Sequence, residues 1–311
     1  VGVIAMKTLM GARRNDVRPF EKEGGTFSQA AFRWVLANPY VDALIVSMTN
    51  EEEIDEYVGG SGDVDMSDGD FGLLEKKVVV ITGCNKGIGK KILEKFSENG
   101  AIIYACVRNV NEEFQKEIKN LENKYHNKIE IIPLDLSDEK KTLDAADNII
   151  NKKNKINVLV NNAGVISTSL FQMTKIDEFK KNFQINFFSQ TLFTQKILRF
   201  MEKESSIIFI SSSSATDSNI GRSAYSSSKA SINSLSKSLS KELGALKIRV
   251  NTIEPGLTDT DMMRNNTSKD TIEMMIKQNI SLKRIGSPEE IANVALFLAS
   301  DLSSYVTGQV I

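Results

Sequence analysis

The sequence predicts an α/β protein whose main body is a doubly wound parallel sheet, and three observations carry that expectation. From residue 77 onward, short apolar runs alternate with helical patterns over about 235 residues. The runs are nearly unbroken in Val, Ile and Leu, as strands covered on both faces require. A glycine loop, Thr82-Gly83-Cys84-Asn85-Lys86-Gly87-Ile88-Gly89, follows the first of them.

In chain order, residues 1–58 read as strand (1–6), helix (27–37), strand (41–46) and helix (51–57). Residues 59–75 are rich in Gly, Ser and Asp and read as a solvated linker. Charge changes at this seam: residues 1–75 carry 6 basic and 14 acidic side chains, against 33 and 26 over 76–311. After the seam, strands are expected at 78–81, 101–105, 129–132, 158–160, 207–210 and 248–251. A helix bearing Ile232, Leu235, Leu239 and Leu243 at spacings of 3, 4 and 4 precedes the last of them.

The totals exclude several classes. A net charge of −1 gives no broad attraction to nucleic acid or an anionic membrane. No apolar run approaches the ~18 residues of a membrane span, and no signal peptide is expected, so the reading is cytoplasmic. Cys84 and Cys106 are read as buried thiols and not as a disulfide framework. The single histidine, His126, falls in a polar loop, which leaves no serine–histidine triad and no zinc cluster; no metal is expected.

The glycine loop is where a dinucleotide belongs. Gly83 allows a sharp turn, Gly87 lets backbone approach a ligand, and Gly89 lets the helix pack close to the sheet. The helix that opens near Lys86 points free N–H groups at a phosphate. The spacing is G-x-x-x-G-x-G, so the strand before it and the helix after it are what give it meaning. Where a carboxylate would grip the ribose of NAD, the second strand ends in Val107-Arg108; with Lys86, that favours the 2′-phosphate of NADP(H).

Tyr225 and Lys229, at i and i+4, share a helix face. A free phenol near pKa ~10 holds its proton too tightly for exchange at neutral pH, and an adjacent ammonium is expected to lower it. A serine run, Ser211 to Ser214, stands upstream, and composition alone leaves its reactive member open.

Two resemblances follow from these residues. Residues 76–311 resemble a short-chain dehydrogenase/reductase of the 3-oxoacyl-acyl-carrier-protein reductase branch. The likeness is carried by the glycine loop, Asp135-Leu136-Ser137-Asp138, Asn161-Asn162-Ala163-Gly164, Asn186, Ser212, Tyr225 to Lys229, Pro255-Gly256 and Arg284 to Ala292. It implies a Rossmann-type sheet of about seven strands, an enzyme reducing a ketone with NADPH, a 3-oxoacyl thioester substrate from fatty acid biosynthesis, and a homodimer or homotetramer.

By position it implies Ser212 as the serine that orients the substrate oxygen, Tyr225 as the proton donor, Lys229 on the nicotinamide ribose, and Asn186 holding a relay water. Cofactor contacts implied are Gly83, Asn85, Lys86, Gly87, Ile88, Gly89, Arg108, Asp135, Leu136, Asn161, Ala163, Gly164, Pro255, Gly256, Leu257 and Thr260, with a substrate lid over 257–280. The family continues beyond Val310-Ile311 into a final strand and tail, whose loss bears on assembly. A sugar or polyol dehydrogenase and a non-catalytic nucleotide-binding fusion remain open. Residues 1–58 resemble the C-terminal end of an aldo-keto reductase barrel, in which Ser47 and Asn50 correspond to a phosphate loop. The catalytic residues of that family lie in units not found here.

Overall fold

The computed structural model describes residues 4–6, 43–45 and 73–311. The chain divides into two compact units, Val1–Gly72 and Leu73–Ile311. In the first, β1 (Ile4–Met6) pairs in parallel with β2 (Ala43–Ile45). The helices expected over 27–37 and 51–57, Ser47, Asn50 and linker residues 59–72 lie outside the described residues. So does most of the segment resembling an aldo-keto reductase.

The second unit is a six-stranded parallel sheet. Its strands are β3 (Val78–Thr82), β4 (Ile102–Val107), β5 (Ile129–Pro133), β6 (Ile156–Asn161), β7 (Met201–Ile210) and β8 (Arg249–Ile253), in spatial order β5-β4-β3-β6-β7-β8. Each expected strand overlaps one of these. Helices α1 (Gly87–Glu98), α2 (Glu112–Tyr125) and α3 (Glu139–Asn151) link the first four strands. Between β6 and β7 run α4 (Ile176–Phe183), a π turn (Gln184–Phe188) and α5 (Ser189–Leu198). The short α6 (Ser214–Asp217) and the long α7 (Ser223–Leu243) lead to β8. Helices α8 (Asp261–Asn266), α9 (Lys269–Gln278) and α10 (Pro288–Ala299) follow.

The period of two along each strand builds two cores. Val79, Ile81, Ile103, Ala105, Val158 and Ile208 face α1, α2 and α10, where Phe96, Phe114 and Leu298 are buried. Val80, Tyr104, Leu159, Ile207 and Phe209 face α3, α5 and α7, packing on Ile149, Phe193 and Ile232. Leu74 is already fully buried in the first core, two residues before the seam expected at 76. The seventh strand is not formed as a full element. Instead residues 308–311 lie along the edge of β8, with Gly308 N–H on the Val250 carbonyl at 2.7 Å and Ile311 N–H on Thr252 at 2.9 Å.

Helix α10 is fixed by a capping box. The Ser287 hydroxyl accepts from Glu290 N–H, the Glu290 carboxylate accepts from Ser287 N–H at 2.8 Å, and Pro288 takes the first helical position. Arg284 grips the same carboxylate at two points, 2.8 and 2.5 Å. Ser287→Ala should lower the unfolding free energy by about 1 kcal/mol in urea titrations. Arg284, helped by the Ser287 N–H, holds the Glu290 carboxyl down to about 2 from 4.5. A depressed carboxyl stabilises the fold above its unfolded value, so this contribution is complete above pH 4.5 and fades as pH falls towards about 2. Glu290 is largely solvated, which keeps the amplitude small. Acid unfolding of Arg284→Gln should show a shallower loss in that window.

Candidate active site

The chain leaves β3 for β4 and β5 on one side, then returns to place β6 on the other. Ligand crevices in open α/β sheets lie at such a reversal, outside the carboxyl ends of the strands. Here the two loops are bolted together. The Thr82 hydroxyl accepts the N–H groups of Asn162 and Ala163, each at 3.0 Å. The Asn162 amide donates to the carbonyls of Thr82 and Gly83 at 2.9 and 3.0 Å. Gly83 has φ +69°, and a Cβ on it would stand 2.8 Å from Ala163 Cα. A Cβ on Gly89 would stand 2.3 Å from both the Gly83 carbonyl oxygen and the Asn162 amide nitrogen. Among the described residues no side chain caps α1, so its first N–H groups are left for a ligand. Asn85 and Lys86 are exposed beside them, and Ile88 packs partly on the first core.

At the far end, a crevice of about 760 Å³ is lined by Arg108, Asn109, Leu134, Asp135, Lys141 and Asn148, among others. Asp135 accepts from the Ser137 hydroxyl at 2.6 Å and from its N–H at 3.0 Å, with the Lys141 ammonium 4.0 Å away. Ser137 and these cations hold its carboxyl below the ordinary range. Lys86 does not line this crevice, so Arg108 and Lys141 are the cations there. Sequence reading missed Lys141, one turn into α3.

Helix α7 brings the second half of the site. Tyr225 is 8% exposed, and Ser212 is the serine of the run that acts on its phenol, favouring the ionised form. The Ser211 hydroxyl is engaged elsewhere, donating to the Lys229 carbonyl at 3.2 Å. Lys229 is 3% exposed, and its ammonium donates to the Ile210 carbonyl at 2.7 Å. Positions 3.3 Å from Lys229 Nζ and 3.1 Å from Asn186 Oδ1 coincide at the missing Cβ of Gly164. The glycine therefore lets the two side chains converge. Pro255 is buried, its carbonyl accepting from Ser213 N–H at 3.1 Å; Gly256 is exposed and Leu257 half-buried.

Several expectations need correction. Burial raises the Tyr225 phenol above its ordinary value; the opposing influences are the Ser212 hydrogen bond and Arg222, not Lys229. Lys229 is pushed down to about 8 by burial. The i, i+4 spacing gives a shared face, but the ammonium is drawn to a carbonyl of β7. Asn186, expected to hold a relay water, commits its amide to Val165 N–H and carbonyl, each at 2.9 Å, and to Ser228. It sits in the π turn, which sequence periodicity did not disclose.

Asn161 is completely enclosed, bonded to Thr194, and does not reach the crevice. Leu136 lies in the second core. Thr260 caps α8 through Met263 N–H and lies over Gly87, its methyl 3.4 Å from where a Cβ would be. Neither α8 nor α9, in the segment expected to form a lid, buries a residue, and Met262 and Met274 are exposed on them. Asn162 and Arg222 were missed as well; a polar residue three positions before Tyr225 carries no distinctive pattern.

Comparisons with known proteins agree with this geometry. A family model described as Enoyl-(Acyl carrier protein) reductase matches residues 83–311. A 3-oxoacyl-[acyl-carrier-protein] reductase, FabG, of Aquifex aeolicus is 36% identical over 241 residues, covering 76% of this chain and 96% of its own. A 3alpha-hydroxysteroid dehydrogenase of Mediterraneibacter gnavus is 33% identical over 247 residues, covering 78% and 96%. The crystal structure of a blue fluorescent protein from a metagenomic library, in complex with NADPH, superposes with a TM-score of 0.70 at 26% identity, covering 76% and 96%.

The packing of Gly89 yields a test whose sign is diagnostic. In an open helix, Gly→Ala stabilises by about 1 kcal/mol. The clash with the Gly83 carbonyl should reverse this, so that Gly89→Ala destabilises by roughly 1–3 kcal/mol in chemical unfolding.

Proposed function

We infer the reaction from one premise: the chain belongs to the short-chain dehydrogenase/reductase family. On that basis it is an oxidoreductase that reduces a ketone to a secondary alcohol with NADPH, and its substrate is a 3-oxoacyl thioester. The observation that carries the reading is the convergence of Lys229 and Asn186 on Gly164, next to the Ala163 that rests on Gly83 of the glycine loop, with Tyr225 one turn before Lys229 on the same helix.

The residues present fit the cofactor. Gly83 and Gly89 let the loop close tightly on Ala163 and Asn162, and the uncapped α1 offers N–H groups to a phosphate. Arg108 and Lys141 face the far crevice, suited to a 2′-phosphate, while Asp135 keeps one carboxylate oxygen for an adenine amino group. NADPH, when bound, supplies the hydride to the carbonyl carbon. Ser212 orients the carbonyl oxygen by donating its hydroxyl hydrogen. Tyr225 gives its proton to that oxygen as negative charge grows there. Lys229 would hold the ribose hydroxyls, and Asn186 braces Val165 through its N–H and carbonyl. Asn85, Lys86, Ala163, Gly256, Leu257 and Thr260 line the remaining cofactor path.

The FabG relative supports a thioester substrate. A second reading, oxidation of a bulky apolar alcohol, draws support from the exposed Phe171, Met173 and Met262 and from the hydroxysteroid dehydrogenase relative.

Tyr225→Phe should lower reduction of acetoacetyl-coenzyme A at least ~100-fold while NADPH binding, read by its fluorescence, is retained. Retained turnover in this variant would refute the assignment. Arg108→Ala should lower the preference for NADPH over NADH about tenfold, from the loss of one charge-assisted contact of about 1.4 kcal/mol. A wild type that prefers NADH would overturn the cofactor reading.

A further inference from the structure

Arg222 is a half-buried charged side chain on the helix of Tyr225 that the proposed reaction does not use. It stands at the N-terminus of α7, three residues before Tyr225. One arm of its guanidinium, Nη2, donates to the main-chain carbonyl of Asn266 at 2.8 Å. The other arm, Nη1, is buried and has no hydrogen-bond partner among the described residues. No carboxylate pairs with it there either. A half-buried cation with an idle N–H is costly unless a negative atom comes to it.

Asn266 ends α8, the first helix of the lid. The other end of α8 is capped by Thr260, which lies over Gly87 of the glycine loop. Thr260 and α8 thus link the neighbourhood of Gly87 to Arg222, and Tyr225 follows Arg222 by three residues at the start of α7.

We propose that Arg222 is a positioning residue that couples the lid to the charge state of Tyr225: anchored on Asn266, it holds its free arm where the phenol oxygen becomes negative on giving up its proton. This deepens the reading of Tyr225 as proton donor and rests on it. The other groups around the phenol leave this role to Arg222. Ser212 and Asn186 are neutral, Lys229 is turned to the Ile210 carbonyl, and Asp259 and Arg264 of the lid neutralise each other in a two-point pair at 2.7 Å. Mutual attraction between Arg222 and Tyr225 acts on both groups, favouring guanidinium and phenolate together.

The test is a tyrosinate titration by near-ultraviolet absorbance, each protein measured against its own Tyr225→Phe counterpart so that only Tyr225 is read. Arg222→Gln should raise the midpoint by about one pH unit, because the cation that favours phenolate is gone. Arg222→Lys should recover at least half of that shift. Cleavage within residues 257–280 by limited proteolysis should rise about threefold in Arg222→Gln, as the lid loses its anchor. An unmoved midpoint in a folded Arg222→Gln protein overturns the proposal, as does a moved midpoint with unchanged proteolysis of the lid. If Arg222→Gln does not fold, Arg222→Met, of similar length and uncharged, is judged by the same criteria. The titration needs no substrate. Turnover surviving in Tyr225→Phe would sink the proton-donor reading, whereas an unmoved midpoint sinks only the role of Arg222.

Discussion

Everything at the site depends on how β3 and β6 are held side by side at the point where their following loops diverge. At a strand end, N–H groups that have left the ladder still need acceptors. Thr82 meets that need with one hydroxyl, which takes both Asn162 and Ala163. Asn162 answers from the other side by closing onto the carbonyls of Thr82 and Gly83. With the loops locked, Ala163 can rest against Gly83, and the next residue, Gly164, leaves the gap filled by Lys229 and Asn186. The phosphate-facing loop and the proton-handling side chains thus share a wall one residue thick. Their separation is set by backbone geometry and not by flexible side chains.

Burial, more than proximity, governs the charges on that wall. Sequence spacing alone suggests a phenol made acidic by its lysine neighbour. The folded chain encloses both groups, and desolvation disfavours charge on each: the phenol moves up and the ammonium moves down, to about 8. For the direction proposed, this is the useful arrangement. A proton donor must keep its proton until an oxygen beside it turns negative, and a phenol raised above its ordinary value does so.

What the sequence discloses follows from which forces are periodic. Strand burial on two faces leaves apolar runs such as Val78 to Ile81 and Ile207 to Ile210, so six strands and their order along the chain were legible. The glycine loop was legible because steric exclusion leaves few residues able to stand at positions 83 and 89. Ser212 is the member of its run that the resemblance implies, and it is the serine that acts on the Tyr225 phenol. Side-chain direction was not legible. Asn161 and Asn162 are chemically identical neighbours, yet the first points inward to Thr194 and the second clamps the glycine loop. The π turn at Asn186, the withdrawal of Lys229 to the Ile210 carbonyl and the position of Arg222 all arise from packing between distant segments, which no local period encodes.

Buried Lys229 and half-buried Arg222 set the remaining constraint. Lys229 and Arg222 approach the site from one helix, and among the described residues neither is paired with a carboxylate. Carbonyl oxygens of Ile210 and Asn266 supply partial charge only. A pairing acid would have relieved the desolvation penalty, but it would also have bound the ammonium and guanidinium permanently and opposed any anion entering the crevice. Leaving them unpaired costs stability in the empty protein. That cost is returned when negative charge develops on an oxygen taking part in proton transfer at Tyr225.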